Sequence, residues 1–258
     1  MSPGTLGCLR WRRLGPADRD RVHALHLRAI QGMGLDQVRP EYPEFFGALL
    51  DGAGLIIGAC DPDGALVAYG VLQHGPDPGT RPDLWLDWPA GARIQKLAGS
   101  SVAAEYRGQR LQRALIRRRV ALAEPGAHLY ATAAPSNPAS WRSLLHEGFE
   151  IRRLRRVYGD SLRYLLARRA ALRAEPAGAV EASMAVEASM AAKASMAAKA
   201  SGSAGTTGAV EAAPAARPAV LPLDGVPLDE QERLLAQGWR GRLLAGAGGV
   251  LVPPEDAA

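Results

Sequence analysis

"EYRGQRLQRALIRRR", residues 105–119, is the stretch on which the fold turns, and six of its fifteen residues are arginine. Three readings compete: an arginine-rich arm for nucleic acid, a solvated helix face, and a phosphate cradle opening a helix. Just upstream, "ARIQKLAGSSVA" (92–103) is an apolar run that reads as a strand ending at Val102. Downstream, Leu111, Leu115 and Leu122 recur at helical spacing and are predicted to face inward, with Arg110, Arg113 and Arg117 together on another face. The first amides of such a helix have no intrahelical acceptor and carry partial positive charge, so a pyrophosphate fits there. Gly108 permits close backbone approach and the arginines add field. A strand, a loop and a basic helix are a common arrangement, so the rest of the chain has to decide.

The composition narrows the classes. Hydrophobic residues make up 47% of the 258, enough for a core. No run approaches the roughly 18 apolar residues of a membrane helix, and "MSPGTLGCLRWRR" lacks the apolar region of a secretory signal. Two cysteines, Cys8 and Cys60, make neither a disulfide framework nor a metal spacing, which favours a reduced, cytoplasmic setting. The net charge of +5 is carried almost wholly by arginine, since lysine stands only at 96, 193 and 199. That bias also fits a GC-rich coding sequence, so the charge is weak evidence for nucleic acid. The arginine clusters at 117–119 and 152–156 lack the interleaved aromatics of a base-stacking platform, and neither nucleic acid nor membrane is expected as a partner. His23 and His26 share a helix at i,i+3 without a third ligand type nearby, so no metal is expected.

Along the chain, strand-like and helix-like segments alternate to about residue 170. "CLRWRRL" is a strand, "GPADRDRVHALHLRAIQGMG" a helix burying Val22, Leu25 and Ala29, and "PEYPEFFGALLDG" a shorter helix. "GLIIGACDPDGALVAYGVLQ" is a hairpin about the turn "DPDG". After the arginine stretch come strand "AHLYATAA", helix "NPASWRSLLHEG" and strands around "FEIRRLRRV" and "SLRYLLARR". Pairing both by hairpins and through helices implies an α+β sandwich over residues 1–173, with a mixed, mostly antiparallel central sheet flanked by helices. Residues 174–219 hold a hexapeptide repeat, "VEASMA", "VEASMA", "AKASMA", from Val180. Six residues at about 100° each send Met184, Met190 and Met196 in different directions, so no apolar face forms and the segment reads as a disordered linker. In residues 220–258, "PLDEQERLLAQGWRG" is a helix with Asp229 as N-cap and Gly238 as its stop, followed by a hairpin in "GRLLAGAGGVLVPP". Some forty residues make too small a core alone, so this piece is expected to dock on the main domain.

Two motifs in conjunction carry more than either alone. "SSVAAEYRGQRLQRAL" resembles the acyl-CoA motif of the GCN5-related N-acetyltransferase (GNAT) superfamily, Arg/Gln-x-x-Gly-x-Gly/Ala after a strand. About thirty residues on, "NPASWRSLLHEGF" resembles the superfamily's second motif, with Asn137 at a helix start and Gly148-Phe149 at its far end. The preceding strand–helix–helix–hairpin order also suits the family, and the resemblance covers roughly residues 8–170. It implies a GNAT-like fold, acetyl-CoA as co-substrate, and a wedge where two central strands splay. The pantetheine would run beside Ser101 and Val102, and the pyrophosphate would sit on the amides of Arg107, Gly108, Gln109, Arg110, Leu111 and Gln112. Asn137 and Ser140 would lie near the thioester. The implied reaction is acetyl transfer to a small-molecule or peptide amine.

The departures are specific. Arg110 and Gln112 stand where the motif has its small residues; neither is expected to bar a helical φ. Leu144 stands where many members carry the tyrosine thought to protonate the thiolate, and the strand from Arg93 to Val102 offers no carboxylate base. Ordinary amines have pKa values near 10 and must lose a proton before attack. Tyr158, in "VYGD", is the candidate acid; Glu41, Glu44 and Asp87 are candidate acceptor-side carboxylates. Tyr42, Phe45, Phe46, Trp85 and Trp88 are candidates for lining an acceptor pocket. The departures also leave open a catalytically degenerate acyl-CoA-binding or interaction module.

Overall fold

A computed structural model describes residues 9–77, 80–172, 220–245 and 248–254. The repeat segment at 174–219 and Cys8 lie outside these residues. The opening strand β1 (Arg10–Arg13) leads through a 3-10 turn into α1 (Arg19–Ile30), which buries Val22, Leu25, His26 and Ala29. Helix α2 (Pro43–Ala48) runs on into a π-helical turn, Leu49–Ala53. The hairpin β2 (Gly54–Cys60) and β3 (Leu66–His74) follows, both strands nearly continuous in burial because helices cover both faces. Next come a short helix α3 (Pro82–Trp85), strand β4 (Ile94–Val102), helix α4 (Leu111–Ala121), strand β5 (His128–Ala133), helix α5 (Pro138–His146), and strands β6 (Glu150–Val157) and β7 (Ser161–Arg169). The C-terminal segment adds β8 (Leu221–Pro222), α6 (Leu228–Ala236), β9 (Arg240–Leu244) and β10 (Gly248–Val252).

The strands form one sheet in the order β1-β2-β3-β4-β5-β7-β6-β9-β10-β8. Every pair is antiparallel except β4 with β5. That parallel pair holds register only from Ile94–His128 to Lys96–Tyr130. Beyond Lys96, β4 continues to Val102 bonded to β3 alone, and β5 continues to Ala133 bonded to β7 alone. The sheet is therefore split along one seam. A bulge in β4 accompanies the split: Gly70 pairs with Ser100 but Leu72 with Leu97, so two steps on β3 oppose three on β4.

Arg119 explains how the bulge is held. It projects from α4, only 1% exposed, and donates from Nε to the Leu115 carbonyl and from Nη1 to the carbonyls of Val71 and Ala98. Burial pulls its guanidinium down to about 9, partly offset by Tyr69, so it still carries charge at neutral pH. Gly70 is required beneath it, since a Cβ there would lie 2.8 Å from Arg119 Nε. Tyr69 and Gly70 are consecutive in β3 and so face opposite ways. Tyr69 meets Phe46 and His26 on the α1–α2 side, so α4 covers the other face. Helix α5 shares that second face, stacking Trp141 against Tyr164 of β7.

The C-terminal segment extends the sheet. β9 meets β6 at Ile151–Gly241, and Gly249 of β10 comes so near Trp141 that a Cβ would sit 2.9 Å from its Cζ3. Gln231 of α6 is 3% exposed and fully used: Nε2 donates to the carbonyls of Leu223 and Val226, and Oε1 accepts from Tyr164 Oη. Leu223, Leu234, Leu235 and Leu251 join the same apolar core as Trp141 and Tyr164. Two predicted details are corrected. The N-cap of α6 is Pro227, with Asp229 inside the first turn, because the chain enters extended from Val226. Leu122 is not a core residue: α4 ends at Ala121, and Leu122, at the C-cap, is 52% exposed.

Candidate active site

The split seam opens a cavity of about 910 Å³ that runs from the α4–α5 face to the α1–α2 face of the sheet. Both free strand edges line it, Leu97–Val102 from β4 and Ala131–Ala133 from β5. Of the sequence-predicted residues, Ser101, Val102, Arg107, Gly108, Arg110, Leu111, Gln112, Asn137, Ser140 and Tyr158 are brought to this one cavity. Gln109 does not line it; its side chain turns back to the Glu105 carbonyl.

On the α4–α5 face, the first intrahelical bond of α4 runs from the Ala114 amide to the Arg110 carbonyl. The amides of Leu111, Gln112 and Arg113 therefore precede the helical ladder and point out of the N-terminus. Gly108, at φ +77°, has nothing within 4 Å of where a Cβ would stand, so the backbone there is open to approach. Arg107 departs from its expected place: its amide is taken by the Ala104 carbonyl, and its guanidinium by the carbonyls of Ala29 and Val102. It ties the loop to α1 and β4 rather than offering an amide.

Arg110 also departs from expectation. It takes φ +60°, left-handed, as the N-cap of α4, where a helical φ was expected. A glycine would adopt this conformation at no steric cost, whereas Arg110 carries about 1–2 kcal/mol of strain. Among the described residues only Asp87, Arg110 and Tyr158 are non-glycine residues at positive φ, and two of the three line this cavity. The arginines of α4 do not act as one face. Arg113 and Arg117 both bond Glu147 at the end of α5, at 2.6 and 3.2 Å, whereas the Arg110 guanidinium makes no hydrogen bond or ion pair with the described residues. Gln112 ties α4 to the free edge of β4, its Nε2 donating to Ser100 Oγ at 2.8 Å. Asn137 caps α5 by accepting from the Ser140 amide at 3.2 Å, and Leu144 lines the cavity.

The α1–α2 face carries the titratable chemistry. Lys96, only 7% exposed, donates from Nζ to Asp77 Oδ2 at 2.7 Å and to Tyr158 Oη at 2.9 Å. Burial would lower the Lys96 pKa, but Tyr158, Tyr130 and the Asp77 carboxylate outweigh it and hold the ammonium charged. Tyr130 Oη accepts from the Asp77 amide at 2.9 Å, which sets that loop over the seam. Thr132 Oγ1 lies 3.2 Å from Tyr158 Oη. The left-handed turn at Tyr158 brings its ring between Lys96 and Arg39, at 5.1 and 5.3 Å from the ring centre.

Glu41 lines the same chamber, and burial raises its carboxyl pKa, with Arg39 and Lys96 opposing. The Glu41 amide donates to His26 Nε2 at 2.9 Å, so His26 carries its proton on Nδ1, which faces Tyr69 Oη at 2.9 Å. Burial, aided by His23, pulls His26 down to about 4, and it stays neutral at physiological pH. The other carboxylate candidates lie elsewhere: Glu44 is exposed, and Asp87 pairs with Arg153. Trp85 and Trp88 pack on a separate cluster with Leu86, Tyr130 and Val157, and neither lines the cavity. Of the other aromatics, Phe45 lines it, Phe46 is core and Tyr42 is 68% exposed.

Lys96 and Asp77 escaped the sequence reading. The signal for Lys96 was present: it is the sole lysine of the first 190 residues and sits within a strand, between Ile94 and Leu97. Among the described residues no group of three or more metal-ligating side chains clusters, and no helix is long and apolar enough to cross a membrane.

The element order, the mixed and mostly antiparallel sheet and the splay of two central strands are those that the resemblance implied. The fold is GNAT-like. No family model matches the chain, and no curated protein matches it. Solved structures do. An acetyltransferase of the GNAT family from Streptococcus pneumoniae is 15% identical, covering 62% of this chain and 99% of its own, with a TM-score of 0.47. A GNAT superfamily phosphinothricin acetyltransferase from Sinorhizobium meliloti, solved with AcCoA, is 17% identical over 64% and 89%, with a TM-score of 0.47. A GNAT-family acetyltransferase from Listeria monocytogenes is 17% identical over 62% and 94%, with a TM-score of 0.48. Likenesses this distant carry no argument about substrate or activity.

Proposed function

We propose that the chain is an acetyl-CoA-dependent N-acetyltransferase that passes the acetyl group to an amine by direct attack within a ternary complex. The observation that supports this most is the seam: two strand edges with unused backbone groups, leading to the open amides at the start of α4. Acetyl-CoA, when bound, supplies an activated thioester. Leu97–Val102 would hold the pantetheine arm along the β4 edge. The amides of Gly108 and Leu111–Arg113, with the Arg110 side chain, would hold the phosphates.

The residues on the far side suit the two proton movements. Glu41, its carboxyl raised by burial, takes a proton from the incoming ammonium more readily than an ordinary carboxylate. Tyr158 Oη holds the proton that the leaving sulfur needs, and the Lys96 ammonium at 2.9 Å steadies the oxygen left behind. Holding the reactants side by side supplies much of the rest.

Calorimetry with acetyl-CoA should show micromolar binding; no heat and no thermal shift at millimolar concentration would overturn the reading. Arg110→Glu should weaken CoA at least about tenfold, roughly 1.4 kcal/mol, while pantetheine, which lacks the phosphates, is affected far less. The rate should also report Glu41. Its raised pKa means kcat/KM falls, as pH drops, at a pH above the usual carboxylate value of about 4.3, because the protonated acid cannot accept the amine's proton. Glu41→Gln should abolish that limb of the profile; a limb that persists unchanged assigns the base elsewhere.

One observation favours a second reading, a binding module without turnover. The Gln112–Ser100 bond ties α4 to β4 at the cavity wall, at a position where the motif has a small residue. In that case CoA would bind and no thiol would be released with any amine. A thiol-release screen over amines, peptides and aminoglycosides separates the two.

A further inference from the structure

The acetyltransferase reading leaves one strong feature unused. Arg163 of β7 is 4% exposed and lines the cavity on its α1–α2 side, the face opposite Tyr164 and Trp141. Its Nη1 donates to the Asp36 carbonyl. No carboxylate among the described residues reaches it as an ion pair: Asp36, the nearest acid to exert a field on it, turns its Oδ2 to Ser136 Oγ at 2.7 Å. Its guanidinium makes no other hydrogen bond with the described residues, and Arg163 lines the cavity. A guanidinium removed from water without an anion is costly, and a planar fork of donors matches a carboxylate in two bonds.

Arg163 is not alone. Arg39, which lies over the Tyr158 ring, lines the same chamber and makes no ion pair with the described residues. Across β6–β7, the registered neighbour of Arg163 is Arg155, whose guanidinium lies over the Trp85 ring and supplies no counter-charge. Glu41 and Asp77 occupy the same chamber. Cationic and anionic groups thus share one space beside Tyr158, an arrangement that fits a ligand carrying both charges close together.

Resting on the acetyltransferase reading, we infer that the acceptor is an amine that also bears a carboxylate, an amino-acid-class molecule whose carboxylate is gripped by Arg163 with Arg39 while its amine is presented beside Glu41. In the transfer, the acceptor's ammonium loses one proton to Glu41, its nitrogen bonds to the acetyl carbon and the carbon–sulfur bond breaks; the sulfur takes the Tyr158 proton and leaves as thiol, and the second proton shed by the nitrogen restores the tyrosine. The acceptor's carboxylate is unchanged throughout and serves only for recognition.

The test uses matched pairs differing in that one group: phenylalanine with phenethylamine, leucine with 3-methylbutylamine, lysine with cadaverine, histidine with histamine, and likewise through the α-amino acids. Thiol release from acetyl-CoA by the full chain should favour the acid of at least one pair by tenfold or more in kcat/KM. In Arg163→Met that ratio should fall toward one, through the KM of the acid, and Arg163→Lys should restore part of it. A residue that merely anchored the Asp36 carbonyl would shift thermal stability and leave the ratio alone. Should Arg163→Met not fold, the wild-type ratio and Arg163→Lys decide. The inference is overturned if the amine of every pair serves as well as the acid, if the ratio survives both substitutions, or if no acid is used while acetyl-CoA binds. Failure of acetyl-CoA to bind removes the acetyltransferase reading instead, so the two failures are told apart.

Discussion

Tyr158→Phe is expected to lower kcat by about 10²-fold or more while changing acetyl-CoA affinity less than about twofold. A positioned general acid contributes on the order of 10² to 10⁴, and the substitution removes only the hydroxyl. The ring remains to hold Arg39 and Lys96 on its faces, so the architecture of the chamber should persist. What disappears is the oxygen that sits 2.9 Å from Lys96 Nζ and 3.2 Å from Thr132 Oγ1. Steady-state thiol release and calorimetry on the same preparation separate the two quantities. A variant within threefold of wild type in kcat would move the acid role to another group, with water as the first alternative.

The second large effect concerns stability. Trp141→Ala is expected to reduce the unfolding free energy by about 3–5 kcal/mol. Trp141 is 2% exposed, packs edge-on against Tyr164, lies under Gly249 of β10, and donates from Nε1 to the Pro135 carbonyl at 3.2 Å. Truncation leaves a cavity beneath α5 and leaves that carbonyl without its donor. Urea titration measures the loss. Hydrogen exchange should show β9 and β10 losing protection along with α5, because the three elements share this side chain. A loss below about 1 kcal/mol, or exchange confined to α5, would show that the C-terminal strands do not depend on the contact.

Apart from the short helix α3, which stands in a stretch that reads as a Pro-rich loop, the identity and order of the elements were legible from residues 9 to 169 because each is announced locally. The 3.6-residue recurrence of Val22, Leu25 and Ala29, the "DPDG" turn between apolar runs, and Asn137 before Pro138 all act within a few residues. The inward face of α4 was legible at Leu111 and Leu115 but failed at Leu122, where the helix had already ended. Periodicity does not say where a helix stops.

The site divides the same way. The seam-side residues could be located because a helix start with open amides is a short-range object, written in Gly108 and the residues after it. On the far side only Tyr158 and Glu41 were named. Lys96, Asp77, Thr132 and Arg163 come from four separate strands or their loops, and their meeting depends on register: Lys96 opposite Tyr130, Thr132 opposite Leu165, Arg163 opposite Arg155. Trp85 and Trp88 show the converse error, since composition alone cannot tell an aromatic that lines a cavity from one that closes a core.

By itself, then, the amino-acid order determined most of the segments that are helix or strand and where a helix start leaves amides open, because those properties depend on neighbours within a turn or two. Only the tertiary structure decided that β4 and β5 part after Lys96, that Arg110 rests in a left-handed conformation, and that a buried Arg163, without an ion pair among the described residues, lines the same cavity as Tyr158. Those outcomes come from packing and strand register between residues far apart in the chain, where no local rule of spacing applies.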